Sequence, residues 1–158
     1  MTVVRLIEEK DNARMGEIIQ KSLEDANLAI VGSAYYDPQI HTLSAYYAKR
    51  PKENYWVVEV NGRVAGGVGI GQFEERQGLC ELQKLYVDSA YRKQGLSHLL
   101  MDTALDYARK HYATCYLETF ASLDVAIKLY EKYGFNHLDE PYPETEHGAC
   151  DVWMEKIL

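Results

Sequence analysis

The sequence predicts a mixed α/β fold, in which helices pack against a central mixed sheet. Three observations support this prediction. Runs of strand length alternate along the chain with segments of helical periodicity. An Asn-Gly pair at 61–62 separates two of those runs, which is typical of a β-hairpin. The four prolines are scattered and neither a linker nor a repeat is visible, so residues 1–158 are expected to form a single domain.

The first third of the chain is predicted to hold one strand and two helices. Thr2 to Ile7 is a short β-rich run. From about Asp11 to Ala26 the apolar residues follow helical spacing. A turn at Asp37 and Pro38 precedes a second helix, predicted from Gln39 to Lys49, because Pro51 would end it.

The middle of the chain is predicted to form three strands and a helix. YWVVEV at 55–60 and VAGGVGIGQF at 64–73 flank the Asn-Gly turn, and CELQKLYV at 80–87 is the next strand. The helix that follows carries apolar residues on one face from Leu96 to about Tyr112.

The last third is predicted to add a strand, a helix and two short strands. TCYLETF at 114–120 is rich in strand-forming residues. A helix with apolar residues from Leu123 to Tyr133 is expected to stop at Gly134 as its C-cap. A short strand begins at Phe135, and DVWMEKI alternates as a last strand. The predicted order is β-α-α-β-β-β-α-β-α-β-β.

Composition argues against several classes of partner and site. Seventeen Lys and Arg against 24 Asp and Glu give a net charge of −7, so a nucleic-acid partner is not expected. No apolar stretch has the length of a membrane span, and the N-terminus lacks a signal-peptide pattern. The three cysteines are widely spaced, which favours a reducing, cytoplasmic location. The five histidines lack metal-ligand spacing, so no metal is predicted.

One stretch, YRKQGLSHLLM at 91–101, has the chemistry of an anion site. It opens a helix, where backbone N–H groups are unpaired and the helix dipole is positive. Gly95 would allow close approach of a ligand, and Arg92 and Lys93 supply cations, which together suit a pyrophosphate. Neither a P-loop nor a Rossmann glycine pattern is present. On this motif alone, an exposed basic helix start with a capping glycine explains the residues equally well.

A second motif narrows the interpretation. R-x-x-G-x-S at Arg92, Gly95 and Ser97, followed by AIKLYEKYGF at 126–135, resembles the GNAT superfamily of N-acetyltransferases. The resemblance covers most of the chain. The family prefers glycine or alanine where this chain has Ser97, and often has asparagine where it has Leu123.

The resemblance implies a fold, a cosubstrate and a reaction. The fold would be a central mixed, mostly antiparallel sheet with splayed fourth and fifth strands, flanked by about four helices. Acetyl-CoA would donate its acetyl group to a primary amine of a small-molecule or peptide acceptor, by direct attack in a ternary complex. By position, Leu85, Tyr86 and Val87 would line the pantetheine. The pyrophosphate would lie against Arg92, Lys93, Gln94, Gly95, Leu96 and Ser97.

The same resemblance suggests the acid and the base. Tyr130 occupies the place of a tyrosine that protonates the leaving thiolate, although on pattern alone it could simply pack in the core. Glu81 occupies a strand position where some members carry a base, and partial burial would raise its pKa toward neutrality. The competing interpretation is a solvated Glu81 paired with Lys84 or Arg76. Glu118 is the reserve candidate, and water remains an alternative to both.

Strand alternation adds a geometric expectation. It predicts that Glu81, Gln83, Leu85 and Val87 lie on one face of their strand.

The acceptor is not specified by any motif. Four tyrosines could wall its pocket or merely cover the sheet: Tyr35, Tyr36, Tyr46 and Tyr47. Five acids could favour a cationic amine or belong to the solvated surface: Glu24, Asp25, Asp37, Glu74 and Glu75. A non-catalytic acyl-CoA-binding or interaction module with this fold is the alternative function, supported only by Ser97 and Leu123. The oligomeric state stays open, a homodimer included.

Overall fold

A seven-stranded sheet organises the chain in the computed structural model, which describes residues 1–73, 75–143, 145 and 147–158. Its strands are β1 (Thr2–Leu6), β2 (Asn54–Val60), β3 (Arg63–Gln72), β4 (Leu79–Val87), β5 (Thr114–Thr119), β6 (Asn136–Leu138) and β7 (Val152–Ile157). They lie in the order β1-β2-β3-β4-β5-β7-β6, and neighbours are antiparallel except β4 and β5. The predicted mixed, mostly antiparallel sheet is confirmed.

Four α-helices accompany the sheet in the described part of the chain. They are α1 (Asn12–Asp25), α2 (Leu43–Ala48), α3 (Leu96–His111) and α4 (Asp124–Lys132). The predicted order of strands and helices is therefore confirmed. The predicted start of the second helix was wrong, because residues 38–41 form turns with hydrogen bonds from Ile40 N to Asp37 O and from Thr42 N to Gln39 O. None of the helices among the described residues has the length and apolar character needed to cross a bilayer.

Helical periodicity decides which side of each long helix is buried. Met15, Ile19 and Leu23 recur every fourth residue of α1 and are almost fully buried in one core cluster. Leu100 and Leu105 of α3 are fully buried in a second cluster. The two clusters share no buried residue, as expected when helices cover both faces of a sheet.

The β2–β3 hairpin has the turn that its sequence predicts. Asn61 and Gly62 both have positive φ, at 51° and 82°. Two successive residues in this region are characteristic of a type I′ turn, which matches the twist of antiparallel strands.

A β-bulge interrupts β4 opposite the glycines of β3. Gly67 pairs with Tyr86 whereas Gly69 pairs with Gln83, so β4 holds one extra residue at this point. Lys84 lies in the bulge with a φ of 50°. The extra residue reverses the alternation of the strand from this position onward.

The bulge overturns one expectation from alternation. Leu85 and Val87 pack with Leu82 in the core cluster of α3. Gln83 instead bonds to Tyr47, which belongs to the core cluster of α1 and α2. The prediction that Glu81, Gln83, Leu85 and Val87 share one face was therefore wrong.

Strands β4 and β5 separate after a short parallel stretch. Their pairing covers only Leu79 with Thr114, Cys80 with Cys115 and Glu81 with Tyr116. Beyond these pairs, residues 82–87 of β4 and 117–119 of β5 border a cavity. The splayed pair of strands, an expectation of the family resemblance, is thus present.

Candidate active site

The cavity between β4 and β5 has a volume of about 1100 Å³. This volume is at the upper end of the range for ligand sites in proteins, so a cofactor-sized molecule fits. Its lining includes residues 81–87, 91–93, 95–98, 117–120, 122–126 and 128–130. The cavity thus connects the anion-site motif at the start of α3 with the predicted acid and base.

The start of α3 lies open to the cavity. Gly95 precedes the helix with a φ of 76°, and no side chain caps the helix. A Cβ at Gly95 would meet nothing within 4 Å, so the approach to the backbone is clear. Arg92, Lys93 and Ser97 also line the cavity, whereas Gln94 is exposed and does not. The unpaired N–H groups of the first helical turn are therefore available to an anion.

The middle of the cavity follows the free edge of β4. Leu85, Tyr86 and Val87 all line it and are half-buried. Because pairing with β5 ends at Glu81, this stretch of β4 faces the cavity instead of a neighbouring strand. An extended chain with amide groups could add to such an edge through backbone hydrogen bonds.

Tyr130 joins the core to the cavity. Its side chain is 7% exposed, and its ring packs edge-on against Phe135 at a centroid distance of 6.1 Å. Burial raises the pKa of its phenol above the ordinary value of 10. The residue also lines the cavity. Tyr130 thus both packs in the core and borders the cavity, and its phenol stays protonated.

Glu81 lies at the point where β4 and β5 separate. Its Oε1 accepts a hydrogen bond of 2.9 Å from Gln83 Nε2. Burial raises the pKa of this carboxyl to about 7, the Gln83 hydrogen bond opposes the rise, and the charge of Glu118 adds to it. Lys84 pairs with Asp37 instead, so the predicted alternative of a Glu81–Lys84 pair is not found.

Glu118 is a second carboxyl beside the same cavity. Its Oε2 accepts a hydrogen bond of 2.9 Å from the Tyr116 hydroxyl. Its Oε1 is buried without a hydrogen-bond partner among the described residues. Burial raises the pKa of Glu118, while the bond from Tyr116 lowers it.

A cluster of three charged side chains lies next to Glu81 and is called the Asp37–Lys84–His147 cluster. The sequence analysis did not predict that these residues are in contact. Lys84 Nζ lies 2.6 Å from Asp37 Oδ2, and the Lys84 side chain is only 4% exposed. His147 Nε2 lies 2.9 Å from the same oxygen. The partners are 47 and 110 residues apart in the chain. No local pattern could have linked them, and the sole hint is a lysine in the middle of a strand.

The cluster shifts the pKa values of Asp37 and His147. Burial alone would raise the pKa of Asp37, but hydrogen bonds and charges from His147 and Lys84 outweigh it and lower that pKa. Burial would lower the pKa of His147, but Asp37 outweighs it and raises that pKa. Asp37 and His147 therefore both favour their charged forms.

A smaller chamber of about 220 Å³ adjoins the main cavity. Four residues line both spaces: Glu81, Gln83, Lys84 and His147. The chamber also has Tyr46, Arg50 and Glu75 in its lining, so its walls carry both signs of charge. Glu81 is thus accessible from two sides.

Some of the tyrosines and acids predicted to surround the acceptor line the cavity or the chamber, and others lie elsewhere. Tyr46 lines the chamber, Tyr47 is buried, and Tyr36 is 62% exposed. The negative charge of Asp37 is balanced by Lys84 and His147. Asp25 lines the main cavity and pairs with Lys21, whereas Glu75 lines the smaller chamber. Glu24 accepts a bond from Tyr35, and Glu74 lies outside the described residues. Two of the five predicted acids, Asp25 and Glu75, therefore border the spaces open to a ligand.

The cysteines are free. Cys80 and Cys115 are buried side by side in the β4–β5 pairs, as expected for small apolar residues, and Cys150 is half-buried. Within residues 1–73, 75–143, 145 and 147–158, no three His, Cys, Asp or Glu side chains are grouped as a metal ion would require. The cytoplasmic location stays a prediction.

Comparison with known proteins decides the family. The sequence profile of the Acetyltransferase (GNAT) family matches residues 17–135, about three quarters of the chain. The chain belongs to the GNAT acetyltransferase family. Membership explains the splayed strands and the open start of α3, and it makes the protein an acyltransferase.

Two similar proteins have names that refer to N-acetyl groups. The chain is 39% identical to the uncharacterized N-acetyltransferase YjgM of Escherichia coli (strain K12), over 99% of this chain and 95% of that protein. It is 36% identical to the N-acetylaspartate synthetase of Xenopus tropicalis, over 73% of this chain but 43% of that protein.

Solved GNAT structures share the fold. A GNAT acetyltransferase of Staphylococcus aureus Mu50 superposes with a TM-score of 0.87 at 16% identity, over 99% of both chains. The PaiA N-acetyltransferase of Thermoplasma acidophilum, solved in complex with coenzyme A, has a TM-score of 0.78 at 17% identity, over 100% of this chain and 99% of that one. At these identities the likeness concerns the fold alone.

The raised pKa of Glu81 predicts how stability depends on pH in this GNAT protein. The folded carboxyl has a pKa of about 7 against an ordinary 4.5, so the folded state binds more protons between these values. The free energy of unfolding should therefore fall as pH rises through this window, by no more than about 3 kcal/mol from this group. Glu81→Gln should remove the decline, so the variant should gain stability over wild type between pH 5 and pH 8. Urea unfolding of both proteins at pH 5 and pH 8 checks this prediction. An equal difference in the free energy of unfolding between variant and wild type at the two pH values would contradict it.

Proposed function

We propose that this GNAT protein transfers an acetyl group from acetyl-CoA to a primary amine, by direct attack in a ternary complex. The observation that carries the proposal is one cavity with an uncapped helix start at one end and Glu81 and Tyr130 in its lining. The fold neighbour solved with coenzyme A supports CoA as the carrier. We also propose that residues 1–158 act as a single domain, since one sheet includes both β1 and β7.

The proposed placement of the cosubstrate follows the lining. The pyrophosphate lies against the first turn of α3, where Gly95, Leu96 and Ser97 offer backbone N–H groups and Arg92 and Lys93 add charge. Gln94 lies outside this set, because it does not line the cavity. The pantetheine extends along Leu85, Tyr86 and Val87 at the free edge of β4.

Leu123 and Ser97 are compatible with this placement. Leu123 lines the cavity at the start of α4 without capping that helix, so it offers the cosubstrate apolar contact and no hydrogen bond. Ser97 is half-buried in the first turn of α3, and its small side chain leaves the backbone accessible.

The proposed reaction needs three proton transfers, two from the nitrogen and one to the sulfur. Glu81 takes a proton from the acceptor ammonium, which suits a carboxyl with a pKa of about 7. The neutral amine attacks the thioester carbonyl and forms the C–N bond. As the C–S bond breaks, the nitrogen releases its extra proton to solvent, which leaves the neutral amide. Tyr130 gives its hydroxyl proton to the departing sulfur and recovers one from solvent. Burial keeps that hydroxyl protonated until negative charge develops on the sulfur.

The acceptor is proposed to enter through the smaller chamber. Glu81 lines both this chamber and the main cavity, so an amine in the chamber would lie near the base and the thioester together. The chamber lining carries Lys84, His147 and Glu75, a mixture that suits an amino acid with its amine and carboxylate. Relatives named for N-acetylaspartate make free amino acids, including aspartate, the first acceptors to test.

Release of the CoA thiol tests the proposal. The full chain is incubated with acetyl-CoA and a panel of amino acids, polyamines and short peptides, and free thiol is measured. At least one amine should give turnover, and Glu81→Gln should reduce it at least about 100-fold. Calorimetry with CoA separates the failures. Binding without turnover on any amine would favour a non-catalytic acyl-CoA-binding module, and no binding would exclude both functions.

A further inference from the structure

A chain of hydrogen bonds leads from a buried tyrosine to Glu81. The Tyr47 hydroxyl donates to Gln83 Oε1 at 2.5 Å, and Gln83 Nε2 donates to Glu81 Oε1 at 2.9 Å. Tyr47 is only 2% exposed. Gln83 therefore lies between the core cluster of α1 and α2 and the carboxyl at the head of the cavity.

The donors and acceptors of this chain can be arranged in one way when Glu81 is ionised. A carboxylate only accepts, so the NH₂ group of Gln83 must face Glu81 and its carbonyl must face Tyr47. Burial raises the pKa of Tyr47 well above 10, so its hydroxyl remains a donor to that carbonyl. In the opposite orientation the Gln83 carbonyl would face the Glu81 carboxylate, and the two oxygens would repel. Because the Tyr47 hydroxyl donates to the carbonyl, it selects the orientation in which Gln83 stabilises ionised Glu81.

Two glycines of β3 leave the space that this arrangement occupies. A Cβ at Gly71 would come within 2.7 Å of Gln83 Oε1 and 2.9 Å of Gln83 Nε2. A Cβ at Gly69 would come within 2.8 Å of the Tyr47 hydroxyl. Glycine inside a strand weakens it and often marks a close approach. The glycine-rich sequence of β3 thus makes room for the amide and the hydroxyl.

We infer that Gln83 is a positioning residue for the base, holding Glu81 Oε1 so that Oε2 is left to accept the proton of the acceptor amine. Tyr47 holds the amide in that orientation, and Gly69 and Gly71 leave the space that it occupies. The inference rests on the proposed role of Glu81. Glu81 Oε2 has no hydrogen-bond partner among the described residues, and Glu81 borders both the cavity and the chamber.

Other charged groups around Glu81 do not replace the amide. Glu118 of β5 disfavours the ionised carboxyl, and Lys84 and His147 favour it through charge alone. Lys84 and His147 are both directed to Asp37. Within residues 1–73, 75–143, 145 and 147–158, Gln83 is thus the residue that holds the Glu81 carboxyl by a direct hydrogen bond.

Gln83→Leu tests the inference through the pH profile. Loss of a hydrogen bond to the ionised carboxyl should move the acid limb of kcat/KM upward by about one pH unit. Such a shift means about a fivefold loss at pH 7 and recovery near pH 9. Tyr47→Phe should shift the limb in the same direction by less, and it serves as the second variant if Gln83→Leu does not fold.

A matched substitution and a direct titration complete the test. Gln20→Leu removes a glutamine on α1 that donates to Tyr35 O, away from the cavity, and should leave the profile unchanged. Carbon-13 NMR of the Glu81 carboxyl, assigned by its absence in Glu81→Gln, should show the same upward shift in Gln83→Leu without any need for turnover. A protein with no turnover but with this shift would fail the proposed function and keep the hydrogen-bond role. An unchanged titration, or an equal loss of activity at every pH, would overturn the inference.

Discussion

Replacing Tyr130 with phenylalanine should lower kcat by at least about 100-fold, the usual contribution of a general acid, without weakening acetyl-CoA binding. The substitution removes one hydroxyl and keeps the ring that packs against Phe135. The departing thiolate would then lose its proton donor, while the contacts that hold the cosubstrate remain. Because the lost interaction belongs to the transition state, kcat and kcat/KM should fall together. Steady-state kinetics and calorimetry with acetyl-CoA measure the two effects separately.

Tyr133 of the adjoining helix end offers a matched control. Its hydroxyl donates to Asp102 Oδ1 at 2.8 Å, and it does not line the cavity. Tyr133→Phe also removes one phenolic oxygen, so any general loss of stability should be comparable, but kcat should stay near the wild-type value. Similar losses of kcat in both variants, or a loss of acetyl-CoA affinity as large as the loss of kcat in Tyr130→Phe, would contradict the acid role.

The parts of the molecule that the sequence could predict are those with local causes. The Asn61-Gly62 turn, the uncapped start of α3 at Gly95 and the end of α4 before Gly134 each depend on backbone conformations that few residues adopt easily. The burial of Met15, Ile19 and Leu23 follows from helical spacing alone, because the apolar face of a helix packs against a sheet. Such features can be inferred from a single segment.

Other features depend on contacts between distant segments. The bulge at Lys84 follows from the pairing of β4 with β3, and it moved Leu85 to the face opposite Gln83. The turns at 38–41 replace a predicted helical start in a segment where Asp37 contacts Lys84 and His147. Neither effect has a signature within its own segment. The main cavity was therefore predictable in outline, and the side chains beside Glu81 were not.

The Asp37–Lys84–His147 cluster predicts a large effect on stability. Asp37→Asn should lower the free energy of unfolding by about 3 kcal/mol, near the low end for removing one partner of a buried pair. The Lys84 side chain is 4% exposed and would lose its counter-charge. The low end applies because Lys84 and His147 border cavities that admit water. Asp25→Asn, which breaks an exposed pair with Lys21, is the control and should change stability by less than about 0.5 kcal/mol.

The cost of Asp37→Asn should also depend on pH in a defined direction. The pKa of His147 is raised by Asp37, so its share of the stability is present below its ordinary pKa of 6.5 and is lost as pH rises through the folded value. The pKa of Asp37 is lowered, so its share is lost only in acid, as pH falls through its folded value. The substitution should therefore cost more at pH 6 than at pH 9, as measured by urea unfolding.

In Asp37→Asn/Lys84→Met the buried charge is gone, so the double variant should be more stable than Asp37→Asn alone. An equal cost at both pH values would remove His147 from the cluster, and no gain in the double variant would show that Lys84 does not depend on Asp37.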